Sequence, residues 1–126
     1  MCGIAGIHIN NPKRSHESLN KELQKMLDAL VHRGPDNRGK VQIKSDNGAN
    51  LYLGHQRLSI IDPSEGAHQP MSNDKSTTWI STNSEIYNYK DLKRELITRY
   101  NFKTNSDTEV LLRSYEAWGI DCLSKI

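Results

Sequence analysis

The strongest constraint on the fold is a change of apolar period along the first half of the chain. Ile4, Ala5, Ile7 and Ile9 read as a strand that starts almost at the first residue and ends at the turn cluster Asn10, Asn11, Pro12. Leu19, Leu23, Met26, Leu27 and Leu30 then share one side of a helix that opens at Ser15, carries Glu17 in its first turn and stops at Gly34-Pro35. Val41 and Ile43 alternate with polar neighbours, and Asp46, Asn47 and Gly48 supply a turn. Leu51 and Leu53 open a second run that resumes at Leu58, Ile60 and Ile61. Strand, helix and hairpin in that order do not give the strand-helix repeat of a doubly wound parallel sheet, so an α+β arrangement is expected.

The second half continues one domain. Pro63, Gly66 and Pro70 mark residues 62–76 as an ordered surface loop, too short to link domains. Thr77 to Thr82 has strand composition, and Asn88 with Asp91 starts a helix whose Leu92, Leu96 and Tyr100 share a face. Ser106 and Glu109 have the spacing of a capping box. Val110, Leu111, Leu112, Tyr115 and Trp118 form the apolar side of the helix that follows, and Gly119 ends it. At 126 residues the chain is sized for a single core. Ile120, Leu123 and Ile126 have no further strand to pack with, which reads as a domain cut short.

Charge and cysteine usage narrow the function classes. A net charge of +2, with basic and acidic residues interspersed, leaves no basic stripe for nucleic acid or a membrane surface. Without a signal-like leader or a membrane-length apolar run, a reducing cytoplasm is expected, and with it free thiols at Cys2 and Cys122. His8, His16, His32, His55 and His68 show no metal-ligand spacing.

Cys2 has a property no internal cysteine shares. Once Met1 is removed, its own α-amine, titrating near about 7.7 to 8.0, lies beside the thiol and can take its proton. Singly, the other candidates have plain readings: Arg57 as a surface cation, Asn83 as a turn residue, Glu85 as a solvated carboxylate, Asp107 as an acid at a helix N-terminus.

Taken in order, six stretches say more: Met1-Cys2-Gly3-Ile4-Ala5-Gly6, His32-Arg33-Gly34-Pro35-Asp36, Gly54 through Asp62, Gln69-Pro70-Met71, Asn83 through Tyr89, and Ser106-Asp107-Thr108-Glu109. Together they resemble the class II glutamine amidotransferase domain of asparagine synthetases. The resemblance implies an N-terminal nucleophile fold, a sandwich of antiparallel sheets with flanking helices that is incomplete at the C-terminus here. Residues 1–126 would be a truncated glutaminase domain, with the synthetase domain absent from the chain. It also implies hydrolysis of glutamine to glutamate and ammonia, with no cofactor in this domain. The ammonia would pass to that C-terminal synthetase domain, which uses ATP and Mg and is a partner, for asparagine synthesis from aspartate.

Carried over by residue, the resemblance makes Cys2 the nucleophile and gives Asn83 and the backbone N–H of Ser84 the oxyanion. Arg57 would hold the substrate carboxylate, Leu58, Ser59, Ile60 and Ile61 would line the pocket, and Glu85 and Asp107 would accept the substrate ammonium. Ser84 departs from the family, which has Gly there; its Cβ implies strain if φ is positive, or a blocked approach to the backbone. Two alternatives stay open: a non-catalytic module binding an amino acid or a neighbouring domain, and a Cys-His hydrolase pairing Cys2 with His32 or His55. Self-association through unpaired strand edges is a further expectation.

Overall fold

The computed structural model describes residues 1–10, 13–44 and 49–126, so the turn residues Asn11, Pro12, Asp46, Asn47 and Gly48 lie outside the described residues. The chain divides into two compact units, residues Met1–Ser59 with His68–Pro70, and residues Ile60–Ala67 with Met71–Ile126.

In the first unit, β1 (Gly3–Ile9), β2 (Asn37–Lys44) and β3 (Asn50–Arg57) form an antiparallel sheet in the order β1-β3-β2. The register pairs Gly3 with Gln56 and Ile9 with Asn50 on one side of β3, and Asn37 with Arg57 and Lys44 with Asn50 on the other. Helix α1 (His16–Ala29) packs on one face, where Leu19, Leu23 and Leu27 join Ala5 and Tyr52 in the core. Full burial of each such leucine stabilises by about 1.5–3 kcal/mol. Ser15 caps the helix, its hydroxyl accepting the Ser18 N–H at 3.2 Å. Met26, expected on the apolar stripe, falls at its margin and is exposed.

Two boundaries differ from expectation. The helix ends at Ala29, and residues Val31–Arg33 make a 3-10 turn instead of carrying it to Gly34. Gly34 has to lie on the end of β3: a Cβ there would sit 2.4 Å from the Gln56 carbonyl oxygen, an approach only glycine allows. The chain must leave the helix axis to reach it. Strand β3, in turn, runs through Gly54, His55, Gln56 and Arg57, and Leu58 to Ile61 lie outside any strand. Pairing on both sides holds this polar stretch in the sheet, where apolar alternation alone does not reveal it.

On the sheet face away from α1, the segment His68–Pro70 passes close over β2. A Cβ on Gly39 would stand 1.9 Å from the Gln69 carbonyl oxygen. The Gln69-Pro70 peptide is cis.

In the second unit, the strand expected over residues 77–82 shortens to β5 (Trp79–Ile80), paired antiparallel with β4 (Met71–Ser72). Asn73 closes the connecting turn by accepting the N–H groups of Thr77 and Thr78 at 2.9 and 3.2 Å. Helices α2 (Tyr89–Leu96) and α3 (Asp107–Trp118) share a core of Ile86, Leu92 and Val110, flanked by Tyr89, Phe102, Leu111 and Trp118. The Asn88 side chain does not cap α2; it donates to the Lys125 carbonyl at 2.7 Å. Tyr100 lies beyond α2 with the Arg113 guanidinium over its ring, and Tyr115 on α3 is exposed.

The capping box at α3 is half made. Ser106 accepts the Glu109 N–H at 3.2 Å, whereas the Glu109 carboxylate accepts the N–H groups of Lys103 and Thr104 in place of that of Ser106. Gly119 ends the helix at φ 59 as expected. Buried Arg113 joins Asp74 and Glu116, each at 2.8 Å, and so fixes the turn after β4 to α3. Lys103, whose ammonium lies 2.6 Å from Asp74, and Arg113 together hold the Asp74 carboxyl below the usual carboxylate range. Among the described residues the architecture is α+β, with antiparallel sheets and three α-helices.

Candidate active site

Residues of β1 alternate about the sheet: Gly3 and Ala5 face the helix, and Cys2 and Ile4 face away. Continuing the register one step sets Cys2 opposite Arg57, so the thiol stands at the sheet end on the face that also carries His55. There the Leu58 N–H donates to Sγ at 3.4 Å, and the Leu58 carbonyl lies 3.9 Å from the same sulfur. The Arg33 Nε donates to the Cys2 carbonyl at 3.0 Å. Arg57 is 5% exposed, an unusual depth for a guanidinium, which requires hydrogen-bonding or anionic company. Cys2 and Cys122 form no disulfide; Cys122 belongs to the second unit, where burial pushes its thiol up.

The stretch His32 to Asp36 carries residues that sequence reasoning quoted without giving them a task. The Asp36 N–H donates to the Arg57 carbonyl at 3.1 Å, and the Asp36 Oδ2 accepts the Ser59 N–H at 2.7 Å. Gln56 donates to the Gly34 carbonyl at 3.2 Å and accepts from Arg38 at 2.6 Å. The signal was a glycine and a proline directly after a helix, a pattern that marks close backbone approach. The partners, some twenty residues away in sequence, were not legible.

His55 is fully buried, and that burial, aided by the Arg57 charge, depresses its imidazole to about 4. The folded chain therefore binds this proton less readily than the unfolded chain, whose histidine titrates at 6.5. The stabilising contribution is complete above pH 6.5 and is lost as pH falls from there toward 4. After allowance for solvent screening, a loss of roughly 1–2 kcal/mol is expected. Urea unfolding at pH 7.5 and 4.5 checks this: His55→Gln should lose less stability than the unsubstituted chain, and an equal loss would remove His55 as the cause. His32, by contrast, is exposed on its 3-10 turn.

Within the second unit, Asn83, Ser84 and Glu85 are exposed on the segment between β5 and α2. Asp107, 7% exposed in the first turn of α3, accepts the Ile86 N–H at 3.1 Å and so fixes the end of that segment. The condition for strain at Ser84, a positive φ, is not met. Positive φ among described non-glycine residues occurs at Asp62 and Ser76, and the Ser84 hydroxyl shares a hydrogen bond with Thr82 at 2.8 Å. Ile60 is exposed and Ile61 half-buried. Asp62, at φ 51, follows them and accepts the Ser64 and Asn105 N–H groups at 3.0 and 2.6 Å.

The structure thus brings Cys2 together with Leu58, at the strand end that holds Arg57 and Ser59, and ties Asp107 to the segment of Asn83, Ser84 and Glu85. Among the described residues, no group of three or more His, Cys, Asp or Glu could hold a metal ion, and no helix is long and apolar enough to cross a membrane.

The family described as glutamine amidotransferase domain matches residues 1–126. The chain is similar to asparagine synthetase [glutamine-hydrolyzing] 1 of Bacillus subtilis (strain 168), with 39% identity over all of this chain and 19% of that protein. It is similar to asparagine synthetase B [glutamine-hydrolyzing] of Escherichia coli (strain K12), with 38% identity over all of this chain and 21% of that protein. Its likeness to asparagine synthetase [glutamine-hydrolyzing] 1 of Arabidopsis thaliana is 40% over 96% of this chain and 19% of that protein. The chain belongs to the glutamine amidotransferase domain family. It spans about a fifth of the length of these curated relatives.

Proposed function

We propose that this chain hydrolyses glutamine to glutamate and ammonia with Cys2 as an N-terminal nucleophile, as the glutaminase part of an asparagine synthetase. The observation that carries this reading is the placement of Cys2 at the sheet end. Its sulfur receives the Leu58 N–H, and Arg57, the residue before Leu58, is buried.

With Met1 removed, the α-amine of Cys2 takes the thiol proton, and Sγ attacks the side-chain carbonyl carbon of glutamine. The Asn83 amide and the Ser84 N–H receive the negative charge that develops on the carbonyl oxygen. Collapse returns the proton to the departing nitrogen, releasing ammonia and leaving a thioester on Cys2. Water, activated by the same amine, hydrolyses the thioester to glutamate. Arg57 pairs the substrate α-carboxylate, Glu85 and Asp107 accept its ammonium, and the backbone of Leu58, Ser59, Ile60 and Ile61 lines the pocket. Asp107 already accepts the Ile86 N–H with one oxygen.

The antiparallel sheet, with Cys2 immediately ahead of its first strand, suits the N-terminal nucleophile sandwich. A synthetase region using ATP and Mg would consume the ammonia in converting aspartate to asparagine in the cytoplasm.

Turnover of glutamine by the Met1-free protein, followed as ammonia release, tests the reading. Arg57→Ala tests the substrate class: losing a charge-assisted contact present in both ground and transition states should weaken glutamine binding by about 1.5–3 kcal/mol. Glutamine titration reads the change, and unaltered affinity would remove the carboxylate clamp.

A further inference from the structure

The stretch from Arg33 to Asp36 bonds to Cys2 and to the two neighbours of Leu58, the residues on either side of the nucleophile contact. Arg33 holds the Cys2 carbonyl from one end, and Asp36 holds the strand exit from the other, through its own N–H to Arg57 and its carboxylate to Ser59. Between Arg57 and Ser59 stands Leu58, whose N–H is aimed at the Cys2 sulfur at 3.4 Å. The Leu58 N–H shares one planar peptide unit with the Arg57 carbonyl, so Asp36 bonds that unit through its own N–H and the next unit through its carboxylate on the Ser59 N–H. Beyond Arg57 the sheet ladder has ended, so these bonds replace the strand pairing that held the preceding residues.

We propose that Asp36 is a positioning residue for the nucleophile: it fixes the Arg57-Leu58-Ser59 backbone so that the Leu58 N–H holds the Cys2 sulfur in its attacking position. This rests on the glutaminase reading above for its kinetic consequence, not for its geometry. Asp36 acts through its reach as a hydrogen-bond acceptor. Asparagine retains an acceptor oxygen at the same distance, alanine retains none, and glutamate carries the charge one methylene too far. Misplacement of a reacting group by about 1 Å can cost about a hundredfold in rate while leaving ground-state binding largely intact.

The test uses the Met1-free protein with Asp36→Ala, Asp36→Asn and Asp36→Glu. In Asp36→Ala, kcat should fall about ten- to a hundredfold with KM changed less than about threefold, and the Ser59 amide should exchange with solvent about tenfold faster. Asp36→Asn should recover most of both quantities. Should the alanine variant fail to fold, Asp36→Glu against Asp36→Asn gives the same contrast, with the glutamate variant slow. The positioning role is overturned by unchanged kcat in folded Asp36→Ala, by a loss that lies in KM, or by Asp36→Asn no faster than Asp36→Ala. A parent protein with no turnover, but with the amide-exchange contrast intact, would instead reject the glutaminase reading and leave the brace standing.

Discussion

Glutamine hydrolysis is expected to rise by about 10²- to 10⁴-fold when Met1 is removed, the range typical of a positioned general base. While Met1 is attached, the nitrogen of Cys2 is an amide, planar and without basicity, and the proton on Sγ has no acceptor of suitable strength. The thiol itself barely changes place, because its sulfur is held by the Leu58 N–H and its carbonyl by Arg33, both independent of Met1. Met1 is largely exposed, so its loss uncovers no core and should leave stability within about 0.5 kcal/mol. Comparing the Met1 form with the Cys2-first form by ammonia release, with melting temperature as a control, separates chemistry from folding. Equal rates at equal stability would dismiss the N-terminal amine as the base.

Gly39→Ala should destabilise the chain by about 3 kcal/mol or more, among the largest effects of any single methyl. The added Cβ would lie 1.9 Å from the Gln69 carbonyl oxygen and 3.2 Å from the Pro70 ring. Both sides of the clash are constrained: Gly39 sits in β2, paired to His55 on the central strand, and the obstacle is backbone rather than a side chain free to turn. Relief means lifting residues 68–70 off the sheet face that buries His55 and Arg57. Gly6→Ala provides the comparison, because its Cβ would meet the Leu53 Cδ2 at 3.4 Å, an ordinary contact, and about 1 kcal/mol or less is expected. Urea midpoints of both variants decide the matter, and a Gly39→Ala protein as stable as Gly6→Ala would show that the segment does not press on the sheet.

The parts of the fold legible from sequence were those in which apolar spacing and structure obey the same period. Leu19, Leu23 and Leu27 announce α1, and Ala5 with Ile7 and Ile9 announces the strand beneath it. The end of β3 was not legible, because His55, Gln56 and Arg57 are polar and enter the interior through pairing on both sides. The end of α1 was misplaced for a related reason: Gly34 is dictated by contact with the Gln56 backbone, a partner distant in sequence. In the candidate site, Cys2 and Arg57 are both expected from the sequence, and the contact the structure gives the Cys2 sulfur is with Leu58, the residue after Arg57. Asp36 was not assigned a task, since its hydrogen bonds are to main-chain groups, which carry no residue identity. Strain at Ser84 was conditional on a positive φ, and φ follows from the local path of the chain, which keeps it out of that region there.

The nucleophile itself is tested by one substitution. Ammonia release from glutamine, measured for the Met1-free protein and for its Cys2→Ala variant processed in the same way, should show turnover in the first and background in the second. Acid-quenched samples of the first should also carry a glutamyl thioester on the Cys2 peptide. Release of ammonia by Cys2→Ala at the parent rate would contradict a cysteine nucleophile at this sheet end.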